Sequence, residues 1–338
     1  MRKRIILFLA VALLSAGCQS KLLSGKIFAT RTPRATATAT LTPTATATPT
    51  PPPTPTPQPA ARVKNADNEL FLGDYEQARR DYQDAFAATS NAQVQAAATY
   101  GIGRALYLQH NYSTAINTLK GMIKNYPQST QLADAYFYLG QSLDAQKLYD
   151  QAAEAYGKFL ELRPGTIDWY VQELRGDDLM AASNPGAAAD AYAASVKAPQ
   201  QGTTDWIALK MGRAYAAKGD YATAITTYLD VYKKSTSDYA KAQANLLMGQ
   251  AYTTLGKPEQ AQARYLDSVN NFPKAYDTYS ALVQLVNDGV TVNDLSRGMV
   301  DYYAGQYGLA IDAFTRYIAS ADNVDASPYH YRALAHLA

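Results

Sequence analysis

The sequence predicts an all-α fold, a right-handed alpha-alpha superhelix of stacked helix pairs that follows a disordered N-terminal tether. Three observations lead there. NYSTAINTLKGMIKNYP, from Asn111, is echoed by DYATAITTYLDVY from Asp220, and the echo recurs at a nearly fixed interval. Apolar residues within each copy follow a helical period. Upstream of residue 63 the composition collapses to Thr, Pro and Ala, which cannot bury a core.

The chain has 338 residues, 47% of them apolar, enough for one long array or two or three ordinary domains. Its 27 tyrosines far outnumber its 8 phenylalanines. An apolar ring with a polar tip suits shallow, half-wet interfaces between small units better than one deep core.

Residues 1–18 carry the marks of an export signal. Arg2, Lys3 and Arg4 precede an apolar run from Ile5 to Leu14, and small residues lead to Cys18. The run is about ten residues long, whereas a spanning helix needs roughly 20. Leu14-Ser15-Ala16-Gly17-Cys18 resembles the lipobox of bacterial lipoproteins, although Ser15 stands where leucine is commonest. That resemblance implies acylation of Cys18 and localisation as an extracytoplasmic protein lipid-anchored to the bacterial cell membrane. Several acyl chains, at about 0.8 kcal/mol per buried CH₂, suffice for stable anchoring. Cys18 is the only cysteine, so no internal disulfide is available.

Residues 19–62 read as a disordered Thr/Pro-rich linker. A tract such as ATATATLTPTATATPTPPPTPTPQPA has no large side chains to repay ordering entropy, and its prolines remove backbone donors. At roughly 3 Å per residue it would hold the remainder tens of ångströms from a bilayer. Charge divides at the same boundary. Eight of the 31 Lys and Arg lie in residues 1–62 with no acid, leaving 23 basic against 29 acidic residues beyond them. A mildly acidic folded part argues against nucleic acid as a partner.

Residues 63–338 hold the repeat. Aligned on one alanine, the copies fall at Ala78, Ala115, Ala152, Ala188, Ala224, Ala261 and Ala310, with separations of 37, 37, 36, 36, 37 and 49. Twelve residues earlier stands Ala66 and then glycine at 103, 140, 176, 212, 249 and 298. Three residues before the alanine stands Tyr or Pro, and four after it Tyr, Leu or Phe. In the third copy Tyr136, Leu139, Gly140 and Leu143 form one helical stripe. Ala152, Tyr156 and Phe159 form a second after a break at Lys147. Ser129 is placed to cap the first of these helices and Pro164 to stop the second. Two antiparallel helices per unit follow, the small Gly and Ala columns allowing close approach.

This pattern resembles the tetratricopeptide repeat, on Tyr136, Leu139-Gly140, Ala152, Tyr156 and Pro164. Each unit here is two or three residues longer than the family period of 34. About seven repeats and a partial eighth are expected. In the fourth copy Gln172 and Arg175 replace the aromatic and Leu, which predicts a first helix shifted by a residue. Before the seventh, YDTYSALVQLVNDG reads as an added helix ended by Gly289. The run from Leu295 to Tyr307 is similar to the helical superhelix region of bacterial soluble lytic transglycosylases. The chain ends part-way through what reads as another unit, which points to a longer protein.

No catalytic constellation stands out. His110, His330 and His336 lie on poorly related faces, so neither a metal site nor a cofactor is expected. Adjacent acids such as Asp177-Asp178 point in different directions on a helix and read as solvated surface. The resemblance implies instead that the first helix of each unit lines an inner groove. The residue after the Gly column would face into it, giving Arg104, Gln141, Asp177, Arg213 and Gln250. Those four positions earlier would add Tyr100, Phe137, Glu173, Leu209 and Leu246. The family's clamp for a C-terminal carboxylate is not reproduced. The leading expectation is a membrane-anchored scaffold whose partner is a protein, a peptide or peptidoglycan. The alternatives are the non-catalytic superhelical part of a lytic transglycosylase and an outer-membrane protein assembly lipoprotein.

Overall fold

The structure, a computed structural model, describes residues 58–199, 202–320 and 325–338. The proposed signal, Cys18 and the linker up to residue 57 lie outside the described residues. Among the described residues there are sixteen helices and no strand. The first helices of the units are α1 (Pro59–Leu72), α3 (Ala92–Leu108), α5 (Leu132–Ala145), α7 (Asp168–Ala181), α9 (Asp205–Ala217), α11 (Asp238–Thr254) and α14 (Asp294–Tyr303). Their partners are α2 (Tyr75–Ala87), α4 (Tyr112–Asn125), α6 (Tyr149–Leu162), α8 (Pro185–Lys197), α10 (Tyr221–Lys234), α12 (Pro258–Asn271) and α15 (Tyr307–Ser320). The added helix is α13 (Tyr276–Asn287), with Gly289 just beyond it at φ +70°, and α16 (Ala326–Leu337) begins an eighth unit. Helix α1 starts at Pro59, inside the stretch read as linker, because proline is pre-shaped for the first turn.

Each second helix begins at the Tyr or Pro column, so that column marks a boundary as well as a packing position. Each helix packs on its neighbours in the chain, and first helices also touch one another, α1 with α3, α3 with α5 and α9 with α11. The core is a row of linked clusters. Its pivots are the columns found in the sequence: the seven repeat alanines and Tyr82, Leu119, Tyr156, Tyr192, Tyr228, Tyr265 and Phe314 are all buried.

The glycine column exists because of those rings. A Cβ on Gly140 would stand 2.7 Å from Tyr156 Cε1, and one on Gly176 2.5 Å from Tyr192 Cε1. Both are well inside contact distance, so only hydrogen lets the helices meet. The same relation at Gly176 shows that the fourth copy keeps its register, against the expected shift. The Arg175 side chain lies over Gly157, its Nε 3.7 Å from where a Cβ there would stand, an ordinary contact.

A further column emerges from the backbone. The turn between the helices of each unit passes through one left-handed residue: Gly73, His110, Lys147, Ser183, Gly219, Gly256 and Gly305. Its amide and the next donate to carbonyls three and five residues back, as Lys147 to Asp144 and Leu148 to Leu143. This satisfies carbonyls that a helix end leaves open. Ser129 does not cap α5. Its hydroxyl accepts from the Gln131 amide and donates to Gln131 Oε1, closing a turn one step before the helix. Pro164 lies just beyond α6, as expected.

Candidate functional site on the first helices

The groove column of the sequence resolves into a repeated contact. The residue two before the glycine folds back onto the preceding unit, meeting the residues three before and one after that unit's glycine. Tyr138 of α5 thus meets Tyr100 and Arg104 of α3, with ring centroids 6.0 Å apart and the guanidinium 5.4 Å above the Tyr138 ring. Arg104 also lies 5.5 Å over Tyr100 and 3.8 Å from Asp67 of α1. Burial works against its charge, but the flanking phenols hold its pKa above the ordinary value.

In the fourth unit the same geometry carries different chemistry. Lys210 of α9 donates to Glu173 Oε1 and to Asp177 Oδ2, each at 2.7 Å, and Tyr192 donates to Asp177 Oδ1 at 2.7 Å. Burial disfavours the ammonium, and the two carboxylates more than offset it, so the Lys210 pKa is raised. In the fifth and sixth units Arg213, Leu247 and Gln250 line one cleft of about 310 Å³ with Tyr221, Tyr228 and Thr254.

The structure therefore joins Tyr100 to Arg104 and Arg213 to Gln250, and sets Asp177 in a lysine-bridged pair with Glu173. Gln141 is half-buried on the same column. Phe137 turns away: its ring packs on Phe159 and Tyr156 of α6, with centroids 5.5 and 6.1 Å away. Leu209 and Leu246, at the equivalent position, are buried in the core. This position sits on the border between groove and core, so an apolar side chain goes inward while Tyr100 and Glu173 stay half-exposed. Sequence reading missed Tyr138 and Lys210. Their column holds Lys, Gly, Tyr, Leu and Ser, which is no pattern until the reach into the preceding unit is seen.

The adjacent acids also divide. Asp177 stays partly exposed beside Lys210 and Tyr192, but Asp178 is only 3% exposed, contrary to the expected solvated face. Burial, with the neighbouring charges of Asp144 and then Asp177, pushes its pKa up to about 8. Among the described residues no cluster of His, Cys, Asp and Glu is arranged to hold a metal ion. Among them, too, no helix is long and apolar enough to cross a membrane.

Paired antiparallel helices, a Gly/Ala interface and a wall of variable side chains define a repeat protein of the helical-hairpin class. Tetratricopeptide repeat profiles match residues 63–130, 133–166, 173–240 and 209–275, more than half of the chain, and the protein belongs to the tetratricopeptide repeat family. No curated protein matches it at the level of sequence. Solved structures share the fold. The Naa15/Naa10 complex bound to HypK-THB aligns at TM-score 0.50 and 16% identity, over 81% of this chain and 39% of that one. A tetratricopeptide repeat protein from Parabacteroides merdae aligns at 0.45 and 11%, over 82% and 98%. YrrB, described as having an unusual peptide-binding site, aligns at 0.46 and 16%, over 60% and 97%. The chain is a scaffold of a kind suited to protein–protein interaction.

Proposed function

We propose that this protein is a lipid-anchored, extracytoplasmic scaffold that captures an extended segment of a partner protein along its first helices. The observation that carries the reading is the fold-back contact, seen twice with one geometry and different chemistry: Tyr138 of the third unit sets an arginine of the second between tyrosines, and Lys210 of the fifth bridges two acids of the fourth. Such a wall reads a chain residue by residue, since each unit presents its own side chains at a constant spacing. Peptidoglycan strands, also extended polymers, are the second class of ligand that the wall and the anchor accommodate. The anchor rests on the lipobox-like sequence before Cys18 and the reach of the Thr/Pro tract.

Two measurements test this. Cys18→Ser is expected to move the protein from the membrane fraction to the soluble fraction, and unchanged fractionation would refute the anchor. Reversing charge with Arg104→Glu and Arg213→Glu together is expected to abolish recovery of cross-linked partners while the helical circular dichroism signal persists. Unchanged recovery would refute the groove.

A further inference from the structure

We infer that Tyr228 and Arg213 form a receptor for the carboxylate of one acidic side chain, glutamate or aspartate, of a peptide bound along the first helices. The inference rests on the groove reading above and names the ligand residue that one point of the groove selects.

Two other units show what such a carboxylate meets, because there the chain supplies it. The residue after the small column is Asp67 in the first unit and Asp177 in the fourth. Asp67 accepts from the Tyr82 hydroxyl at 2.6 Å and lies 3.8 Å from the Arg104 guanidinium. Asp177 accepts from the Tyr192 hydroxyl and from Lys210, each at 2.7 Å. In both, a carboxylate stands between the hydroxyl of the buried ring and a cation of the next unit.

The fifth unit keeps a hydroxyl and a cation but has no acid of its own between them. Tyr228 holds the place of Tyr192, since a Cβ on Gly212 would stand 2.2 Å from Tyr228 Cε1, much as one on Gly176 would stand 2.5 Å from Tyr192 Cε1. The next residue is Arg213, which can only donate. Among the described residues, neither the Tyr228 hydroxyl nor the exposed Arg213 guanidinium has a hydrogen-bond or ion-pair partner. Asp277 of α13 feels the Arg213 charge but makes no ion pair with it. Leu247, at the position of Tyr138 and Lys210, offers Arg213 neither a second ring nor a charge.

Both donors open on one cleft of about 310 Å³, which Gln250 lines as well. Leu247, Ala216 and Ala251 give the cleft an apolar lining that accepts the methylene stem of an acidic side chain. Its carboxylate then pairs with the guanidinium and takes the tyrosine proton as Asp177 does. A basic ligand side chain would set a second cation beside Arg213, and an apolar one would leave both donors unpaired.

The experiment is selection of short random peptides, displayed on phage through their C-termini and so without a free terminal carboxylate, on the immobilised full chain. Enriched sequences are synthesised as C-terminal amides for affinity measurement. A Glu or Asp at one fixed position is expected, with affinity falling at least roughly tenfold when that residue becomes Gln or Asn. Tyr228→Phe is expected to weaken the acidic peptide, and in Arg213→Gln the exchange of acid for amide is expected to cost little further. Tyr228→Phe keeps the buried ring, and its urea midpoint is expected to match that of the native chain, because the hydroxyl has no partner to lose. A lowered midpoint, enriched peptides that need no acid, or acidic peptides that bind both variants unchanged overturn this inference and leave the groove reading standing. No enrichment over bare support overturns both.

Discussion

Tyr192 donates a 2.7 Å hydrogen bond to Asp177 Oδ1 while its ring packs beneath Gly176, so one side chain ties the buried interface to the groove wall. The first unit repeats the arrangement, with Tyr82 donating to Asp67 at 2.6 Å. Tyr192→Phe keeps the ring and removes only this tie. A loss of about 1 kcal/mol in urea unfolding is expected.

The glycine column gives a sharper test. Gly140→Ala would raise helix propensity by about 1 kcal/mol but drive a methyl into the Tyr156 ring. Because that ring is buried and hemmed in by its cluster, the clash prevails and a net loss of about 1–3 kcal/mol is expected.

The left-handed turn residues predict the opposite sign. Lys147 holds φ +60° and Ser183 φ +61°, a conformation that costs a residue with a Cβ about 1–2 kcal/mol. Lys147→Gly and Ser183→Gly should each stabilise by about 1 kcal/mol, seen as a raised denaturation midpoint with an unchanged slope.

Second helices differ in their caps. Asp74, Asn184 and Asp220 each accept from the amide three residues on, whereas Leu148 occupies the same position before α6 with no acceptor. Leu148→Asp is expected to add about 1 kcal/mol, measured by thermal unfolding.

Asp178 predicts a pH dependence. Its folded pKa of about 8 exceeds the ordinary 3.8, so between those values the folded protein binds more protons than the unfolded chain. This group's contribution to stability therefore falls as pH rises from about 4 to about 8. Asp178→Asn should flatten the profile, gaining melting temperature relative to the native chain at pH 8 and least at pH 4. A parallel pair of profiles would contradict the assignment.

The helix pairs were legible because packing forced Gly, Ala and ring into register at 140, 152 and 156, and the added helix because Gly289 ended it. The turn column was not, since the backbone tolerates Gly, His, Lys and Ser there and leaves no shared side chain to notice. The position after the glycine singled out Arg104, Gln141, Asp177, Arg213 and Gln250 as groove candidates, and the structure sets Arg104 and Asp177 in contacts between units. Their partners Tyr138 and Lys210 were hidden because they come from the following unit, and single-unit periodicity contains no such term. Asp178 was misjudged for a related reason: a helical wheel assigns it a direction, but its burial depends on where α5 and α6 lie.

The principal packing partners of each helix lie within two helices of it along the chain. Under load between its ends, such a molecule has no distant seam to rupture, and it yields one hairpin at a time and recoils as each one closes again. Force and extension are thereby traded in small instalments.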